Sequence, residues 1–360
     1  MHVSTAPAPV ARGLRVIRVG LLGFGNVGQA IARAAAAAAP RLRQQQIAIA
    51  IECALVRDVS RARRAPTIGR VTSNAEAFLR GRYDAVIDVL PGREPAATIV
   101  GRVLGKGVPV ISANKALVSA DGRRLRRIAS RAGTDLRIDA CALAGVPFLG
   151  AFERRPFAAD VCRFSAVVNG TSHFILSRLA AGAAFDQALA EAQALGYAEP
   201  DPSADISGAD ALAKLTILAE TLLGVALPSA RVEVHGIDTL TPGDLAAARE
   251  RGGVIKPVVA ASLERGGVSA FVGPAFVPAP HPLAAIDGRD SAIVIDTHNS
   301  GRLVFAGPGA GPDITAATLL DDAIEAVLGG AGAVPRRPVE TRPLVAPETA
   351  RFGTWRALDA

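Results

Sequence analysis

Cysteine, aromatic residues, lysine and long apolar runs are all scarce in this chain, and each shortage closes off a class of protein. The three cysteines, Cys53, Cys141 and Cys162, stand far apart with no C-x-x-C pair, which excludes a disulfide framework and a cysteine-based zinc site. Cys141 and Cys162 read as small core residues, with Cys141 carried as a candidate reactive thiol because of its neighbours. Aromatic residues are 4% of the 360, too few for a stacking surface on nucleic acid. No apolar stretch reaches the roughly 18 residues of a membrane span, and the opening MHVSTAPAPVARGLR lacks the apolar core of a signal peptide. A cytoplasmic protein with no membrane partner is expected.

Net charge is +7, yet the arginines are scattered. The two clusters, Arg61 with Arg63 and Arg64, and Arg123, Arg124, Arg126 and Arg127, fall in expected helices or loops. The charge reads as a solvated surface that helps draw in an anionic cofactor or substrate, with no nucleic-acid partner. Of the 40 basic residues only Lys106, Lys115, Lys214 and Lys256 are lysine. Arginine keeps its proton in a protein, whereas burial tunes a lysine into a proton donor and acceptor near neutral pH. Lys115 and Lys214 are therefore the cations to explain.

With 50% hydrophobic residues the length supports two domains with their own cores. Strands are expected at Arg15–Leu22, Ile47–Val56, Asp84–Leu90, Val108–Ser112 and Leu136–Asp139, with helices between them; the first helix, Asn26–Ala39, should stop at Pro40. Strands alternating with helices imply a doubly wound parallel sheet of Rossmann type. Beyond about residue 150 the pattern changes. Val161–Asn169 reads as a strand, Ser172–Ala181 and Phe185–Leu195 as helices, and Ser207–Leu223 as one long amphipathic helix. Short strands follow at Val232–Gly236, Val254–Ala261, Val268–Phe276, Ala292–Thr297 and Leu303–Phe305, giving an α+β substrate and dimerisation domain. The expected layout is an extension at 1–14, a dinucleotide-binding domain at 15–150 completed by 306–330, a substrate domain at 151–305, and a tail at 331–360 that is unstructured or loosely docked.

Gly23, Gly25 and Gly28 form G-x-G-x-x-G, with Asn26 and Val27 inside it, at the junction of the first strand and helix. The first glycine allows the turn, the second admits a pyrophosphate against the backbone and the third lets helix pack on strand. The second strand ends Val56-Arg57-Asp58, so an arginine suited to a 2′-phosphate stands beside an acid suited to ribose hydroxyls. NADP through Arg57 is expected, with NAD open. Asp210 and Lys214 are four apart and share a helix face. Ser207 and Asp210 also fit a helix-start capping box, and the Asp210–Lys214 pair also fits an ordinary surface ion pair.

GFGNVG, SANKALVS (112–119), CALAGVPF (141–148), NGTSHFIL (169–176), GYAEPDPSADISGADALAK (196–214) and GPGAGPDITAA (307–317), in this order, make the chain resemble homoserine dehydrogenases over roughly residues 15–330. That resemblance implies reversible reduction of L-aspartate 4-semialdehyde to L-homoserine, on the way to threonine and methionine. It implies Lys214 as proton donor, Asp210 as its partner, and Lys115 between nicotinamide and substrate. Glu199 would take the substrate ammonium, Asp205 and Thr171 would line the pocket, and Ser112, Lys115 and Gly311 would join the glycine turn at the cofactor. A monovalent cation such as sodium would sit on the backbone carbonyls of Ala142, Ala144 and Val146, although Asp139 replaces the family's usual glutamate. A homodimer built through the substrate domain is also implied. His173 stands where the family usually has asparagine and is left unassigned; the other histidines show no metal-ligand spacing. Too few residues follow the last expected helix for the regulatory domain many relatives carry, so feedback through such a domain is not expected. Two alternatives remain at this stage: another two-domain amino-acid dehydrogenase, and a non-catalytic dinucleotide sensor.

Overall fold

Apolar residues in the first strands alternate between two faces, and both faces are covered. The computed structural model describes residues 13–60, 68–146, 148–153, 160–329, 339–346, 351–352 and 355–357; the extension before residue 13 and the Arg61–Arg64 cluster lie outside them. Six parallel strands, β1 (Arg15–Leu22), β2 (Ile47–Leu55), β3 (Ile68–Thr72), β4 (Ala85–Asp88), β5 (Val110–Ser112) and β6 (Leu136–Arg137), stand in the order 3-2-1-4-5-6. The helices are α1 (Asn26–Gln44), α2 (Ala75–Leu79), α3 (Ala96–Leu104), α4 (Lys115–Arg131), α5 (Asp139–Ala142) and α6 (Leu149–Glu153). Ile17, Val19, Leu21, Ala85 and Ile87 pack against α1, whereas Val86 and Val110 face the cluster that holds α3 and α4. This is the doubly wound arrangement, and its strand order reverses between β1 and β4, which opens a crevice at their carboxyl ends.

The second unit contains α7 (Gly170–Ala180), α8 (Phe185–Ala194), α9 (Ser203–Ile206), α10 (Ala209–Leu218) and α11 (Pro242–Glu250). Its mixed sheet has β7 (Val161–Val167) at the centre, flanked by β10 (Gly253–Glu264) and β12 (Asp290–Thr297), with β11 (Gly267–Pro278) and β13 (Gly301–Pro308) outside them. The small strands β8 (Val225–Ala226) and β9 (Glu233–Val234) lie between α10 and α11 in the chain. From β13 the chain returns through α12 (Pro312–Leu328), whose Ala316, Leu319, Leu320 and Ala323 join the core of the first sheet beside Ile17 and Ile31. One apolar cluster spans both units, from Leu117 and Leu125 on α4 through Leu215 and Leu218 on α10 to Phe164 on β7.

Three expectations about elements are corrected. Helix α1 does not stop at Pro40 but runs through it to Gln44. Pro40 and Ala36 are exposed, so water can satisfy the carbonyl that proline leaves without an amide. The expected helix Ser207–Leu223 starts two residues later, at Ala209, because Gly208 sits at φ 85° before it, and its last turn, Ala219–Leu223, is π-helical. The tail is not wholly an unstructured or loose arm. Its β14 (Glu340–Thr341) pairs with β8, Leu344 bridges to Val268, and β15 (Arg351–Phe352) and β16 (Trp355–Ala357) extend the sheet beyond β11. Pairing of that kind saturates an edge that would otherwise show free amides and carbonyls; a two- or three-residue strand is too short to leave a period in sequence.

Candidate active site

The glycine turn is shaped for a phosphate. Gly23 takes φ +97° with Val89 against it, and a Cβ on Gly28 would lie 2.5 Å from the Gly23 carbonyl, so α1 sits as close to β1 as backbones allow. Gly25 faces open space, with nothing within 4 Å of where its Cβ would be. Helix α1 starts there with no side-chain cap and no acid in its first turn, leaving amides and positive dipole for a pyrophosphate. Asn26 is exposed and Val27 half-buried at this mouth. At the end of β2, Asp58 already accepts both the amide and the hydroxyl of Ser60, whereas the exposed Arg57 guanidinium has no partner among the described residues. Gly311, at φ +137°, opens α12 with Pro312 at its first position. Ser112 is turned inward: its hydroxyl donates to Asp88 (2.9 Å) and its carbonyl accepts the Cys141 thiol (3.0 Å). Burial pushes the Asp88 carboxyl up to about 6, against the amide of Leu90 and the Ser112 hydroxyl. The Cys141 thiol is fully buried and driven upward by desolvation, so it is inert and not a reactive group.

Lys214 lies on α10, held in place by the adjoining buried Leu215 and Leu218. It is 8% exposed, which rules out the surface-pair alternative. Its Nζ donates to the Val168 carbonyl (2.5 Å) at the end of β7 and pairs with Asp210 Oδ2 (3.0 Å). The capping-box alternative also falls. Gly208, which has no side chain to cap with, is the residue before α10, and the Asp210 carboxylate goes to Lys214 and the Asn169 amide. Lys115, the first residue of α4, approaches Asp210 Oδ1 from the other domain at 3.4 Å and is 41% exposed. About two to three turns further along the same helix, Arg123 and Arg126 reach Glu220 in the π-helical turn (3.5 and 3.4 Å). Helix α4 is thus tied to the lysine-bearing segment at its first residue and again at and beyond its midpoint.

Electrostatics follow from this geometry. Burial pushes the Lys214 ammonium down, and Asp210 opposes that shift without cancelling it. Burial alone would raise Asp210, but Lys214, Lys115 and the Asn169 amide hold it well below the usual carboxylate range. Asp205 accepts from Asn169 (2.7 Å). Glu199 is exposed with no side-chain partner among the described residues. The Thr171 hydroxyl is not free: it donates to the Tyr197 carbonyl (2.7 Å) and so fixes the loop that carries Glu199. His173 is fully buried and pushed down to about 4 by burial and by Lys256; it is neutral at pH 7, its Nδ1 against the Asp290 carbonyl and its Nε2 against Lys256 (both 3.0 Å). It is a packing group, not an acid or base. Of the proposed cation ligands, the Ala144 carbonyl accepts from Thr318 (2.5 Å) and the Val146 carbonyl from the Phe148 amide (2.9 Å), while Asp139 accepts the Gly150 amide (3.1 Å). Asn169 and the Val168 carbonyl had no role assigned from sequence; an asparagine opening a helix right after a strand is the signal that marks them.

The homoserine dehydrogenase NAD-binding profile matches residues 23–139 and the homoserine dehydrogenase profile residues 147–324. A homoserine dehydrogenase of Mycobacterium leprae is 36% identical over 330 residues, covering 88% of this chain and 75% of that protein. Its counterpart in Corynebacterium glutamicum is 33% identical, covering 86% and 72%. The crystal structure of a homoserine dehydrogenase from Thiobacillus denitrificans superposes with a TM-score of 0.85 at 32% identity, covering 92% of this chain and 80% of that one. A hyperthermophilic archaeal homoserine dehydrogenase in complex with NADPH gives 0.73 at 25% identity, covering 90% and 100%.

The NAD-binding and catalytic profiles, with relatives matched over most of the chain, make this a nicotinamide-dependent oxidoreductase acting on CH–OH groups. The chain belongs to the homoserine dehydrogenase family.

Proposed function

We propose that this site interconverts L-aspartate 4-semialdehyde and L-homoserine with Lys214 as proton donor in reduction and acceptor in oxidation. The observation that carries the assignment is the enclosure of its Nζ between Asp210 and the Val168 carbonyl. When bound, the reduced nicotinamide supplies the hydride. As the aldehyde oxygen gains negative charge, a desolvated ammonium neutralises it by giving up a proton, a step worth far more in a dry site than in water. Asp210 keeps that ammonium oriented, and Lys115 adds a second positive charge at the other carboxylate oxygen. The Glu199 carboxylate, which has no side-chain partner among the described residues, would take the substrate ammonium, with Asp205 lining the pocket.

The pH dependence is the test. In oxidation Lys214 must be neutral, so homoserine turnover rises with pH towards its pKa, which burial sets below that of free lysine, and levels off above it. Reduction needs the ammonium and falls across the same window. Flat kcat profiles in both directions from neutral to alkaline pH would remove Lys214 from the proton transfer.

NADPH is the proposed preference. Arg57, with no partner among the described residues, stands at the end of β2 where a 2′-phosphate is held in such folds, and Asp58, the acid that would take ribose hydroxyls, is occupied by Ser60. Initial rates at subsaturating cofactor should favour NADPH over NADH, and Arg57→Ala should erase most of that preference; equal rates in the parent would refute it. A monovalent cation on Ala142, Ala144 and Val146 would use the second lone pairs of the last two carbonyls, and replacing sodium by choline reads it. A cytoplasmic homodimer serving threonine and methionine formation rests on the family resemblance; sedimentation reads the dimer.

A further inference from the structure

Asn169 closes the loop between β7 and α7 and is 5% exposed. Its Oδ1 accepts the Ser172 amide (2.8 Å), capping α7, and that bond identifies the other end of the amide as nitrogen. Both hydrogens of Nδ2 then point at carboxylates, Asp205 Oδ1 at 2.7 Å and Asp210 Oδ2 at 2.9 Å. The second of these oxygens is the one paired with Lys214, and the carbonyl that Lys214 also contacts belongs to Val168, one residue before Asn169.

We propose that Asn169 is a positioning residue that holds Asp205 and Asp210 apart as two separate ionised carboxylates, one for the substrate pocket and one for Lys214. The proposal rests on the assignment of Lys214 as the proton-transfer group. Two acids within hydrogen-bond reach of one nitrogen repel each other. Without a donor between them, one would take up a proton or swing away. A cationic side chain there would compete with Lys214 for Asp210. Residues that cap a helix start are asparagine, aspartate, serine, threonine and glycine, and of these only asparagine carries an NH2 group with two donors. Capping α7 and bridging two carboxylates therefore converge on one residue type.

Charged groups facing Lys214 are Asp210 from its own helix, Asp205 from α9 and Lys115 from α4. Asn169→Asp keeps the cap but replaces the donor by a third negative charge, which favours the ammonium. The midpoint of the homoserine-oxidation pH profile should move upward by about one unit. Asn169→Ser keeps a cap and adds no charge; loss of the bridge should lower kcat/KM by about tenfold, as expected for a lost hydrogen bond to a charged group. Asn169→Ser should melt close to the parent, whereas Asn169→Asp, which sets a third buried carboxylate against two others, should melt lower, and its pH profile is read well below that melting temperature. If Asn169 only caps the helix, Asn169→Ser will keep both the parent kcat/KM and the parent midpoint, and the proposal is overturned. Failure of the underlying assignment looks different: Lys214→Ala would then keep its turnover, whatever the Asn169 variants do.

Discussion

Lys214→Ala is expected to lower kcat in both directions by about 10²- to 10⁴-fold, the usual contribution of a positioned acid or base, while dinucleotide affinity stays within a few-fold of the parent. Two ammonium groups touch Asp210, and the structure separates them by environment. Lys115 is 41% exposed, whereas the Lys214 side chain is 9% exposed and hydrogen-bonded to a backbone carbonyl. Desolvation brings an ammonium closer to giving up its proton at working pH. Steady-state kinetics with dinucleotide titration by fluorescence measures both quantities. A loss below about tenfold would hand the proton to another group, with Lys115 the next to replace. Parallel loss of dinucleotide binding would mean that the substitution had damaged the fold instead.

Gly28→Ala and Gly25→Ala should separate packing from binding in the glycine turn. At Gly28 a methyl group would lie 2.5 Å from the Gly23 carbonyl, so α1 must move off β1. Overpacking of this kind costs about 1–3 kcal/mol, and the melting temperature should fall along with dinucleotide affinity. At Gly25 the methyl meets nothing in the protein and its φ of −80° suits any residue. The variant should melt like the parent yet bind dinucleotide at least about tenfold more weakly, since the methyl occupies the space a pyrophosphate needs. Calorimetric melting and a binding isotherm on each variant decide it. Undiminished binding by Gly25→Ala would put the phosphates somewhere other than this turn.

Much of the first domain was legible because its signals are local. An apolar strand, three spaced glycines and an alanine-rich helix occupy neighbouring positions and need no distant partner to be read. Errors arose where a distant contact overrode local preference or where the element was short. Pro40 is accepted because its side of α1 meets water. Helix α10 starts at Ala209 and not at Ser207 because Gly208 takes φ 85°, at a place where a Cβ would press on Val234 and Val272. Helix α11, begun by a capping box at Thr241 and Asp244, was overlooked despite carrying its own start signal, and β3 is only five residues long. In the site, Ser112 and Thr171 spend their hydroxyls on Asp88 and the Tyr197 carbonyl, which no spacing in sequence announces.

Sequence by itself determined the parallel sheet, the phosphate turn and the placing of Asp210 and Lys214 on one helix face, because each depends on residues within a turn or two of one another. Tertiary structure alone decided that Lys214 is buried, that Lys115 faces the same carboxylate from the other domain, and that Asn169 joins Asp205 to Asp210. Those features bring together groups from separate elements, and the removal of water that tunes an ammonium is a property of everything packed around it.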